Sequence, residues 1–133
     1  FLSFLVTNTL GQTSTSDADT RMAMANFLDE MVKCTSYFSI LGQGTNSKGE
    51  QSEINKKYQN LAEKLAITSL NFAAEIDMKS EALLSKLQRY SEEMGKLINN
   101  DGINISILIE KHGKFCKSFV ENPSDRLLFW MNE

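Results

Sequence analysis

From Asp17 onward the apolar positions Met24, Phe27, Met31, Cys34, Phe38 and Leu41 recur at alternating steps of three and four. That spacing is the seam of a packed α-helix, with Leu28 and Tyr37 widening the stripe and Asp17 or Asp19 available as N-cap. The polar, glycine-rich segment "GQGTNSKGE", Gly42 to Glu50, is expected to stop this helix and reverse the chain. A second periodic run places Ile54, Tyr58, Leu61, Leu65, Thr68 and Phe72 on one seam, with a strip of small residues, Ala62, Ala66, Ser69 and Ala73, beside it. Beyond Ile76 the pattern resumes at Leu83, Leu87, Tyr90, Met94 and Leu97. A single helix from 52 to 99 would be about 70 Å long, too long to bury its seams against the remaining elements. A turn at Asp77 to Ser80, with either residue capping the next helix, is therefore expected.

The stretch "NNDGINISILIEKHGKFCKSF" reads two ways, since Ile103, Ile105, Ile107 and Ile109 alternate like a strand. The strand template fails after Ile109 and finds no partner strand elsewhere. The helical template collects Ile105, Leu108, Ile109, His112, Phe115, Cys116 and Phe119 on one face, with Asn104 as N-cap. Pro123 ends this helix by disfavouring the α conformation at Asn122. The apolar ending Leu127 to Trp130 then reads as a short helix or lid folded over one end, anchored by Trp130, or else as an exposed partner-binding tail. The fold class is all-α: a four-helix up-down bundle with a short C-terminal helix or lid.

A length of 133 residues with 41% hydrophobic and 23% charged side chains is one ordinary domain. Fourteen basic and seventeen acidic residues give a net charge of −3, and no basic stripe with interleaved aromatics is visible, so the footprint of a nucleic-acid binder is missing. The opening run Phe1 to Val6, followed by small and polar residues around Thr9 and Gly11, looks like the rear half of a secretory signal, with residues 1–12 as a partial signal peptide and 13–133 as the domain. The run is too short to span a bilayer. Its alternative is a short N-terminal segment packed on the domain.

Two cysteines, Cys34 and Cys116, belong to no CxxC motif, which removes thioredoxin-like and paired zinc-knuckle chemistry. One long-range structural disulfide is the plain reading; two buried free thiols are the alternative. His112 is the sole histidine, so a multi-histidine metal site is impossible. It stands one turn from Cys116, but no glycine-rich nucleophile loop accompanies the pair. An EF-hand through Gly102 fails because Leu97 and Leu108 occupy the first and twelfth positions. The carboxylate pairs Asp29 and Glu30, Glu75 and Asp77, and Glu92 and Glu93 lack a Glu-x-x-His partner for a di-iron site and read as solvated faces. Asn104-Ile105-Ser106 is a formal glycosylation sequon.

The segments "EMVKCTSYFSI" and "EMGKLINNDGINISILIEKHGKFCKSFVENPSDRLLFW" together resemble a loose group of small exported bacterial proteins, mostly uncharacterised, with one cysteine in the first helix and one in a late helix. The resemblance covers Asp29 to Trp130 and implies a helical fold and an envelope or secreted location; it supplies no catalytic residue and no cofactor. The expectation for function is a non-enzymatic, exported accessory or protein-binding bundle whose partner is another envelope protein. The second expectation is a carrier of a small apolar ligand, with Met24, Met31, Phe72, Met94 and Trp130 lining a cavity between helices. An enzyme using Cys116 and His112 is the third.

Overall fold

A computed structural model of the chain describes residues 17–43 and 50–132, with side chains from 53 onward in the second stretch. The expected signal segment 1–12, the spacer up to 16 and the centre of the glycine-rich loop, 44–49, lie outside the described residues. Among the described residues five α-helices carry the fold: α1 Asp17–Gln43, α2 Glu50–Glu75, α3 Ser80–Leu97, α4 Ile105–Glu121 and α5 Pro123–Met131. A single 3₁₀ turn, Gly102–Asn104, leads into α4. The described residues contain no strand, so the alternating isoleucines belong to a 3₁₀ turn and the first turns of a helix.

The run 52–99 is broken as expected, and the backbone shows how. At the end of α2, Asp77 takes φ 59°. Met78 N–H donates to Ala73 O and Asp77 N–H to Ala74 O, a Schellman closure that satisfies carbonyls the helix would leave orphaned. The end of α3 repeats the device, with Asn99 and Asn100 at φ 54° and 53° and Asn100 N–H donating to Gly95 O. Asp and Asn tolerate this left-handed region better than other residues with a Cβ. The expected caps fail: Lys79 is the N-cap of α3 and makes no side-chain cap. The Asp77 carboxylate pairs with Arg21 of α1 at 3.1 Å instead.

Helix α1 is the hub and is in backbone contact with each of the other four. Five consecutive residues, Cys34 to Phe38, are buried, and a helix buried on all sides is central rather than amphipathic. Its polar members are satisfied: Thr35 Oγ1 donates to Met31 O at 2.8 Å, and Ser36 Oγ to Leu87 O at 3.2 Å. The phase of α2 differs from expectation. The small and polar residues Asn55, Ala62, Ser69 and Ala73 form its buried line, while Ile54 and Thr68 are exposed. Small side chains at the contact let the α1 and α2 backbones approach. Gly42, expected to stop α1, sits inside its last turn and serves that approach. A Cβ there would lie 2.7 Å from Gln59 Cγ and 2.9 Å from Gln59 N. Gln59 Nε2 donates to Gly42 O at 2.6 Å.

The main core gathers Phe27, Met31, Phe38, Met94, Leu108 and Phe119 around the disulfide, and a second cluster joins Leu28 and Val32 to Ala73 and Leu83. Cys34 and Cys116 are bonded, with Cα atoms 5.4 Å apart and neither sulfur-bearing residue exposed. The bond ties α1 to α4 across 82 residues of sequence. Helix α5 packs on α1 and α4. Its anchor point, Glu30, lies about 20 Å from either end of α1, so α5 runs beside the middle of the hub instead of closing an end.

Candidate functional site

Two consecutive carboxylates on α1 organise the surface around the hub. Asp29 accepts a hydrogen bond from the Tyr90 hydroxyl and pairs with Lys86 at 3.2 Å, fastening α3. Burial, with the Asp29 hydrogen bond added, pushes the Tyr90 phenol up to about 12. Glu30 receives Arg126 Nε at 3.0 Å and Nη2 at 2.6 Å, and also Trp130 Nε1 at 3.0 Å, fastening α5. The bidentate geometry fixes the guanidinium plane, whose carbon lies 4.2 Å from the Phe129 ring centroid. The Glu30 hydrogen bonds hold the Arg126 pKa above its ordinary value. The solvated-face reading of Asp29 and Glu30 is thereby corrected: both are structural ties, and the Glu30 side chain is only 12% exposed.

Over the remaining face of α1, residues of α2 and α3, two helices in little direct contact with one another, line a groove. A half-open apolar pocket of about 60 Å³ lies between Val32, Ala66, Leu70, Leu83 and Leu87. It adjoins a wider, more polar cleft of about 370 Å³ through shared Thr35, Ala66 and Leu87. That cleft in turn meets a third, of about 770 Å³, through Ser39, Gln43 and Ser91. The floor residues Val32, Thr35, Ser39 and Gln43 follow one face of α1. The Ser91 hydroxyl donates to Ser36 Oγ at 3.2 Å and holds α3 to the hub.

The residues singled out for an apolar ligand are placed elsewhere. Met24, Met31 and Met94 are buried in the packed interior. Phe72 sets its ring 5.4 Å from that of Phe27, tilted by 58°. Trp130 is committed to Glu30. None of the five lines the three clefts. Sequence reasoning missed Ser69, Leu70, Leu84 and Thr35 as groove residues; Leu70 and Leu84, 45% and 57% exposed, stood off both expected seams, and that offset was the available signal.

The Cys116 thiol is consumed in the disulfide. His112 is half-buried with its ring 6.1 Å from that of Tyr37. Burial, then the nearby positive charges of Lys33 and Lys111, lowers its pKa. Among the described residues no three His, Cys, Asp or Glu side chains form a group able to hold a metal ion. No described helix is long and apolar enough to cross a membrane. The Asn104 amide donates to Ile98 O at 2.9 Å, which occupies the sequon nitrogen in closing the turn before α4. Comparison with known protein families, characterised proteins and solved structures finds no match.

Proposed function

We propose that the chain is a non-enzymatic, exported accessory domain that binds another envelope protein, its four long helices arranged up-down with α5 strapped alongside. The observation carrying this reading is the fully buried Cys34–Cys116 bond, because a disulfide that joins two core helices suits an oxidising compartment. The resemblance to small exported bacterial helical proteins supports the same location. Consumption of the Cys116 thiol removes the nucleophile that a Cys-His chemistry would need. Export is tested by fractionating cells that produce the full-length precursor: a processed form in the envelope or medium is expected, and an unprocessed cytosolic form overturns the reading. The binding role is tested by in vivo photo-cross-linking from Leu84 and from exposed Lys64. A discrete adduct with one envelope protein is expected, and no adduct from either position overturns it.

A further inference from the structure

We propose that the groove between α1, α2 and α3 receives a basic amphipathic helix of the envelope partner, with a leucine-sized side chain entering the apolar pocket and a lysine or arginine one turn away meeting Glu63. The proposal rests on the accessory reading for its occupant. The pocket walls Val32, Ala66, Leu70, Leu83 and Leu87 present hydrocarbon almost throughout, so an apolar side chain is the group that suits them. A water takes up roughly 10–15 Å³ of such space, so about 60 Å³ admits four or five heavy atoms, and a leucine side chain has four. Leu70 and Leu84, exposed on walls from different helices, carry the apolar surface out to the rims, and exposed Ile67 continues it on α2. One turn before Ala66 on α2, Glu63 lines the adjoining cleft, and among the described residues it is the only charged side chain lining any of the three. Glu63 is exposed and forms no ion pair among the described residues. A lone carboxylate beside an apolar pocket, in a chain of net charge −3, is complementary to a cation placed beside an apolar anchor. The floor from Val32 to Gln43 runs about 16 Å along α1, three turns, the length over which a helix laid in a groove sets its successive anchors.

The test titrates two synthetic helical peptides of about 14 residues, long enough to span the groove floor, into protein carrying ¹³C-labelled Leu and Val methyl groups. Both peptides carry leucine on one face; the opposite face is lysine in one and glutamate in the other. Saturable shifts from the lysine peptide at Val32, Leu70, Leu83, Leu84 and Leu87 are expected, with Leu128, exposed on α5, unmoved. Leu84→Lys is expected to abolish them. Glu63→Lys is expected to weaken the lysine peptide about fivefold, the upper worth of an exposed ion pair. Glu121→Lys, the same change of net charge at the end of α4 and outside the groove lining, is expected to leave that affinity as it was. Absence of saturable shifts, shifts at Leu128 as large as those in the groove, or equal affinity of the wild type for the two peptides overturns the proposal. So does a Glu63→Lys variant that binds as Glu121→Lys does. The titration contains no envelope protein, so its failure overturns the groove alone, while the accessory reading stands or falls by the cross-linked adduct.

Discussion

Asp29 and Glu30 are sequence neighbours whose side chains leave α1 about 100° apart, and each ties a different helix to the hub. Glu30 is the more buried of the two, and its partners Arg126 and Trp130 lie 96 and 100 residues away. Replacing it leaves a guanidinium and an indole N–H short of their acceptor. Glu30→Gln is expected to cost about 1–3 kcal/mol, as for a lost acceptor in a partly buried charge pair. Trp130 is the only tryptophan, so its fluorescence reports on α5 directly. A red shift at denaturant concentrations where helical circular dichroism is still native is the expected sign that the strap has come off.

Tyr90 gives the Asp29 tie its own pH signature. Its folded-state pKa, raised to about 12 against an ordinary value of 10, means that the folded protein holds the proton more tightly than the unfolded chain. Stability from this group is complete below pH 10 and is lost as pH climbs from about 10 to about 12. Phenolate absorbance should show Tyr90 titrating late, and Tyr90→Phe should remove that part of the alkaline loss.

His112 has the opposite sense. Its lowered pKa makes the unfolded chain bind the proton first on acidification, so stability falls as pH drops below the ordinary value of 6.5 and levels off once the folded-state pKa is passed. Above 6.5 the ring is neutral in both states and contributes no slope. Urea unfolding across mildly acidic pH should show this decline, and His112→Gln should flatten it.

Gly42 is required by proximity. Its added methyl would meet the backbone of Gln59, which cannot rotate away. Gly42→Ala is expected to destabilise by about 1–3 kcal/mol through overpacking, although alanine is the better helix former. Chemical denaturation of the variant measures this, and a gain in stability would contradict the packing.

The helices themselves were legible because their period is local: a seam at steps of three and four needs no knowledge of partners, and the breaks near Asp77 and Asn99 carry residues suited to positive φ. The strand-like isoleucines resolved correctly for the same reason. What could not be read was which face meets what. Five buried residues in succession at Cys34 to Phe38 include Thr35 and Ser36, which a seam analysis counts as surface. The buried line of α2 runs through Asn55, Ala62 and Ser69 because close backbone approach rewards small side chains over the larger apolar ones beside them. Asp29 and Glu30 looked solvated since the groups that satisfy them come from α3 and α5, and no local pattern announces a partner so distant in sequence. The groove was invisible for a related reason: its lining comes from three helices at once.

The Cys34–Cys116 bond holds the hub to α4 and underlies the exported reading. Closing a loop of this length contributes roughly 4–5 kcal/mol in the chain-entropy picture, an amount the Cys34→Ser, Cys116→Ser double variant should lose without any change of chemistry. The most direct measurement takes the protein from its own cells under acid quench, alkylates it without reduction, and maps the two cysteines by mass spectrometry. Two unlabelled cysteines joined in one cross-linked peptide pair are expected. Recovery of both as alkylated thiols would contradict that bond.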